Sequence, residues 1–222
     1  MALALIAIPL EIVRKKNLYF DETFQGWGVD DLEWSYRICK SGTPIILRED
    51  VRALHLPHAR DPEANKKTET QNYHRFLAKW PSPDVELSHA FGDVCANSLY
   101  FEYMADRRKV LDTLEGTLGI VRGTASGRSI LFVGVELNES HQILNPEITR
   151  QFDTCEAIET LPLVGMAIPY QDNEIDDCRI LEPISRFSDK YANAVYKEVN
   201  RVVKIPILQN RRPPSILTKN AP

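Results

Sequence analysis

The chain has 222 residues, enough for one large domain or two small ones. Its hydrophobic content of 43% and charged content of 26% are ordinary for a globular protein, and a net charge of −4 gives no electrostatic case for nucleic acid or an anionic membrane. Four scattered cysteines (Cys39, Cys95, Cys155, Cys178) form no Cys-x-x-Cys, which argues against a zinc framework or disulfide ladder and makes a reducing, cytoplasmic compartment the default.

Met1 to Leu10 is apolar but lacks a basic flank and a cleavage site. It is also far short of the ~20 residues a membrane span needs, so a buried strand over Ala4 to Ile8, ended by Pro9, is expected. A short helix or turn follows at Glu11 to Lys16. Asp30 to Lys40 has helical spacing, with Leu32, Tyr36 and Cys39 on one face and an i,i+4 pair of Glu33 and Arg37. Ser41-Gly42 stops it. Pro44 to Leu47 and Val51 to His55 read as short strands, and Pro62 to Trp80 as a polar helix. Ser82 between two prolines is placed to cap the next helix. Leu99 to Leu118 reads as helix and Gly116 to Gly127 as a loop or linker. Beyond it, Ser129 to Val135, Cys155 to Glu159, Leu163 to Ile168 and Cys178 to Leu181 read as strands. Asp189 to Val203 reads as an amphipathic helix burying Tyr191, Val195, Val199 and Val202. Strands alternating with helices predict a small parallel α/β unit. His74, His89 and His141 are isolated and read as surface residues, and the Pro-rich, basic tail from Gln209 as disordered.

The chemistry concentrates in Phe20-Asp21-Glu22-Thr23-Phe24-Gln25-Gly26-Trp27-Gly28-Val29-Asp30-Asp31, followed by His55-Leu56-Pro57-His58. Gly26 and Gly28 allow backbone conformations that a Cβ would forbid. Trp27 between them can offer an apolar face to a sugar ring. Asp30 and Asp31 open a helix, where unpaired N–H groups and the helix dipole favour a carboxylate. Asp31 suits a general base and Asp30 a hydrogen-bonding group for a hydroxyl substrate. The alternative roles are plain: acids that merely cap a helix, and a tryptophan that fills a core.

These residues in this order resemble the C-terminal motif of inverting GT-A glycosyltransferases, of the galactosyltransferase and chondroitin-polymerase types. The resemblance covers about Ala4 to Leu87. It implies that Asp31 is the catalytic base, that Gly26, Trp27, Gly28 and Asp30 contact the acceptor, and that a histidine holds Mn2+ or Mg2+ beside a nucleotide sugar. His58 matches the galactosyltransferase form and His55 the polymerase form. The family's Asp-x-Asp, which carries metal and diphosphate in the donor half, is absent from this sequence. The chain is therefore expected to be the acceptor-side half: a fragment or mis-started product, a chain whose donor site a partner protein supplies, or one whose activity is lost.

The second half resembles class I methyltransferases at Ala167-Ile168-Pro169-Tyr170-Gln171-Asp172-Asn173-Glu174-Ile175-Asp176 and at the helix carrying Lys197 to Val202. The glycine loop that would admit S-adenosylmethionine is missing after Gly134, so cofactor binding is not expected. The fold class expected is α/β: a partial GT-A half plus a small Rossmann-like parallel-sheet module. The divisions expected are 1–92 for the first, 93–127 for a helical connector, 128–208 for the second and 209–222 for the tail. The function expected is transfer of a hexose from a nucleotide sugar to a carbohydrate or glycoconjugate hydroxyl, with inversion. A non-catalytic acceptor-binding scaffold and a methyltransferase are the alternatives. Neither nucleic acid nor a membrane span is expected.

Overall fold

Helices come first and strands later in the structure, a computed structural model that describes residues 6–48, 50–52, 54, 56, 59, 61–154 and 156–206. Among these residues the order is α1 (Leu10–Lys16), α2 (Asp30–Lys40), α3 (Pro62–Lys79), α4 (Pro83–Phe91), α5 (Asp93–Leu111), β1 (Thr117–Ala125), β2 (Arg128–Leu137), α6 (Pro146–Thr149), β3 (Glu159–Leu161), β4 (Asp177–Ile180) and α7 (Asp189–Val202), with a 3-10 turn at Glu182–Arg186 before α7. The chain divides into two units, Met1–Lys79 and Trp80–Pro222. That division falls earlier than the one expected at residue 92.

The first unit is helical among its described residues. Val13, Leu18, Trp34 and Ile38 form its core, with Ile6, Ile8, Ile12 and Ile45 packed around them. The Trp34 indole N–H donates to the Leu18 carbonyl at 2.7 Å, which satisfies the polar end of a buried ring. The buried stripe of α2 is therefore Trp34 and Ile38, not Leu32, Tyr36 and Cys39 as the spacing implied; Cys39 is exposed. Gly42 and Thr43 donate to the Cys39 and Ile38 carbonyls, the paired bonds that end a helix at a left-handed glycine. The strand expected at Pro44 to Leu47 is not formed, nor are the described residues of those expected at Ala4 to Ile8 and Val51 to His55 in a strand. Apolar composition alone suggested them, and none has a ladder partner among the described residues. Ile46, Leu47 and Leu54 are exposed.

The second unit is built on a four-stranded sheet of order β3-β1-β2-β4. β1 pairs antiparallel with β2 and β3, and only β2 with β4 is parallel. The sheet is thus mixed, which corrects the parallel module expected. Gly116 to Gly127, expected as a linker, is mostly the inner strand β1. Its glycines disguised it. A Cβ on Gly119 would sit 2.2 Å from Leu137 Cδ1, and one on Gly123 would sit 2.4 Å from Phe152 Cδ1. Both glycines are on the Val121 face of the strand, and the larger side chains fill the space above them. Ser126 and Gly127, at φ 51° and 71°, make the two-residue turn into β2, a mirror-image turn whose twist suits a hairpin. The Asp153 carboxylate accepts both turn amides, at 3.1 and 3.4 Å.

Strand β2 runs through Gly134 rather than ending at it. The β1 partners skip from Val133 to Val135, so Gly134 is a bulge residue at φ 85°, with Ile184 over it. The bulge shifts the alternation and puts Phe132 and Val135 in the same cluster with Val121, Leu137, Ile148 and Phe152. On α7 the expected stripe of Tyr191, Val195, Val199 and Val202 is buried throughout. Val195, Val133 and Ile120 converge on Gly165, so the stripe covers the sheet face opposite that cluster. Val195→Asp should cost the second unit ~3 kcal/mol or more by burying an unpaired charge. Denaturant unfolding of the full chain checks this; a shift below ~0.5 kcal/mol would mean the stripe is not core.

Leu163 to Ile168, expected as a strand, is an irregular segment whose amides are taken by side chains. Val164, Gly165 and Met166 donate to the Glu86 carboxylate of α4 at 3.0, 2.6 and 2.9 Å. Ile168 donates to Glu198 at 2.8 Å, and Arg201 donates to the Ile168 carbonyl. A backbone so committed has no donors left for a ladder.

Candidate functional site: the Gly-Trp-Gly loop and the head of α2

Three residues at positive φ shape the loop, two of them on either side of Trp27: Gly26 at φ 80°, Gly28 at φ 98° and Val29 at φ 57°. Val29 is the N-cap of α2, and its carbonyl accepts the Glu33 amide at 2.9 Å. The left-handed turn delivers Asp30 and Asp31 into the first helical turn, half-buried and side by side. Asp31 Oδ1 accepts the Leu32 amide at 2.9 Å, and the Ser35 hydroxyl donates to the Asp31 carbonyl. One Asp31 oxygen is thus oriented by backbone while the other has no intramolecular bond among the described residues.

The loop rests on α3, a support that sequence reading missed. Trp27 donates its amide to Thr68 Oγ1 at 3.0 Å. The Asn72 amide, 2% exposed, donates to the Gln25 and Gly28 carbonyls at 3.0 and 3.1 Å. The glycines are required by this approach as well as by φ: a Cβ on Gly26 would lie 2.6 Å from Thr68 Cγ2. The only hint in sequence is that Thr68 and Asn72 stand four apart on a helix, on one face. Trp27 is 46% exposed, so it fills no core and its ring is open to a ligand. Asn72→Ala should release the loop at ~1–2 kcal/mol, through the two carbonyls it leaves unpaired. Faster hydrogen exchange at the Trp27 amide is the readout, and an unchanged rate would show that Thr68 alone holds the loop.

Asp21, in the same motif, belongs to an ion-pair cluster. Its carboxylate accepts the Thr23 amide and hydroxyl at 3.0 and 2.7 Å and pairs with Lys79 at 2.6 Å. The Lys79 ammonium, with Thr23 second, holds its carboxyl well below the usual range. Lys79 also reaches Glu33 at 2.8 Å, which is buried and paired in addition with the Arg37 guanidinium at 2.8 and 2.9 Å. The expected i,i+4 pair is therefore part of a four-charge cluster tying the loop, α2 and the end of α3 together.

His55 and His58, the candidate metal ligands, lie outside the described residues, as do Cys155 and the tail from Gln209. Among the described residues no three His, Cys, Asp or Glu side chains converge to hold a metal ion, and no helix is long and apolar enough to cross a membrane. His74, expected at the surface, is buried on α3.

The loop thus presents two acids at a helix head beside an exposed tryptophan. The chain is distantly related to glycosyltransferases. It is 27% identical over 205 residues to the validoxylamine A glucosyltransferase of Streptomyces hygroscopicus subsp. jinggangensis (strain 5008), and 27% identical over 208 residues to that of Streptomyces hygroscopicus subsp. limoneus. Each match takes in 82% of this chain, and 49% and 45% of the respective relative. The chain thus spans about half the length of the curated relatives it matches. A match over 82% of the chain also runs well past residue 92, so the relationship is not confined to the first unit. No family model and no solved structure matches the chain.

Proposed function

We propose that this chain is the acceptor-side part of an inverting, metal-dependent glycosyltransferase of GT-A type that moves a hexose from a nucleotide sugar to a carbohydrate hydroxyl. The observation that carries the reading is the Asp31 carboxylate, held at one oxygen by the Leu32 amide and open at the other, beside a glycine-flanked, exposed Trp27. Asp31 takes the proton of the acceptor hydroxyl as the sugar leaves its nucleotide. Asp30 holds that hydroxyl or its neighbour, and Gly26, Trp27 and Gly28 form the platform beneath the ring. His58 or His55 would hold Mn2+ or Mg2+, which would supply positive charge against a diphosphate leaving group; imidazole would suit such a metal with carboxylate or phosphate oxygens completing the set. The sequence carries no Asp-x-Asp, so we assign the donor diphosphate to residues on another segment or a partner protein. The related proteins are glucosyltransferases by name, which makes glucose the first hexose to try and validoxylamine A the first acceptor.

The test is transfer by the full chain from UDP-glucose and UDP-galactose with Mn2+, to validoxylamine A and simple glycosides, with product anomers read by NMR. A Mn2+-dependent product of inverted configuration supports the reading. Binding of an acceptor with no transfer from any donor overturns it and leaves an acceptor-binding scaffold.

A further inference from the structure

The four-charge cluster borders a cleft of about 270 Å³ on the first unit, lined by Asn17, Tyr19, Phe20, Asp21, Arg37 and Lys79. That volume is near the lower end of the ~300–1,000 Å³ typical of small-molecule sites. It has room for one ring and not for a dinucleotide. Its cations are not available to an anion: Lys79 is paired with Asp21 and Glu33, and Arg37 with Glu33 and the Tyr19 carbonyl. The two positive and two negative groups cancel. What stays open is of another kind. Phe20 stacks on Trp34, with centroids 4.5 Å apart, yet remains 51% exposed; Tyr19 is 53% exposed. The Asn17 side chain and the Tyr19 hydroxyl make no hydrogen bond among the described residues. Asn17 is held at φ 51° by its place at the end of α1, which aims a short amide from a fixed backbone.

An aromatic wall, an amide and a phenol around a charge-neutral cleft match an uncharged polyhydroxylated ring, whose C–H face is apolar and whose edge both donates and accepts. We propose that this cleft is a saccharide subsite, holding a second sugar unit of an extended acceptor. Arg37 lies six residues along α2 from Asp31, ~9 Å of helix rise and about 120° round the axis, a separation for an oligosaccharide of several units and not for a single ring. The subsite role rests on the transfer reading above, whereas the binding of a neutral sugar here does not.

The experiment titrates the full chain with maltose, cellobiose, lactose and, separately, inorganic phosphate, following the amide signals of residues 17–21 and 26–31 by NMR. Saturable shifts at 17–21 from at least one disaccharide are expected. Tyr19→Ala should weaken that binding about tenfold, as an aromatic contact of ~1.4 kcal/mol implies. Asn17→Gly, which keeps the left-handed backbone and removes the amide, should weaken it too. Retention of such binding in a chain that transfers no sugar would sustain the cleft while ending the transferase reading. Disaccharide binding that survives both Tyr19→Ala and Asn17→Gly would overturn the cleft. So would phosphate binding in preference to sugars, or no response to any sugar.

Discussion

Glu86→Ala should be among the most damaging single substitutions in the chain, costing the second unit about 3 kcal/mol or more. Glu86 is 1% exposed, and its two oxygens accept the buried amides of Val164, Gly165 and Met166. Truncation leaves all three without an acceptor where water cannot replace it. The wild-type arrangement is itself a compromise. Burial pushes the Glu86 carboxyl up to about 7 from an ordinary 4.5, against the opposing pull of the amides. On α5, burial first and the nearby Glu86 carboxylate second raise the Tyr103 hydroxyl well above its ordinary value.

The direction of the pH effect follows from that upward shift. Between pH 4.5 and about 7 the folded chain keeps a proton that the unfolded chain has released. The group's stabilising contribution is complete below pH 4.5 and lost as pH rises through about 7. Its size is on the order of 3 kcal/mol. Asp21 titrates far lower, so its opposite slope falls outside this window. Unfolding free energy should therefore decline from pH 5 to 8, with amide exchange at 164–166 quickening in parallel. Glu86→Gln keeps an acceptor for two of the amides and cannot ionise, so it should flatten the decline. An unchanged slope in that variant would assign the titration to another group.

That latch also shows where sequence reading stops. Leu163, Val164 and Ile168 look like a strand because burial of apolar residues is common to strands and irregular core segments. The deciding partner, Glu86, is 78 residues from Val164 and looks like any helical glutamate. The bounds of helix α2, by contrast, were legible to the residue, though not its buried face, because the signals for its ends are local: acids at its head and Ser41-Gly42 at its end. Strand β1 was hidden by Gly119 and Gly123, whose reason lies in Leu137 and Phe152 of other segments. The same contrast holds at the site. Gly26, Trp27, Gly28, Asp30 and Asp31 announce themselves by order and spacing. Thr68 and Asn72, which hold the loop, do not, because their bonds are made across more than forty residues to backbone atoms that any sequence possesses.

The carboxylates of α2 offer the sharpest test of the proposed chemistry, since the proposal gives Asp31 to the reaction and the ion pairs give Glu33 to the fold. Asp31→Asn should lower transfer by ~10²–10⁴-fold, the usual worth of a general base. Stability should change by less than ~0.5 kcal/mol, because an asparagine oxygen can still accept the Leu32 amide that Asp31 Oδ1 accepts. Glu33→Gln should do the reverse. Glu33 is buried against Arg37 and Lys79, and removing its charge leaves two cations with one remaining counterion, Asp21. A loss of ~1–3 kcal/mol in stability is expected there, as for a charged hydrogen bond. Turnover per folded molecule should change far less than in Asp31→Asn. The pair of variants separates a carboxylate that acts on substrate from one that acts on the protein. Equal loss of transfer in both, tracking stability, would mean that Asp31 is a helix-cap residue and nothing more.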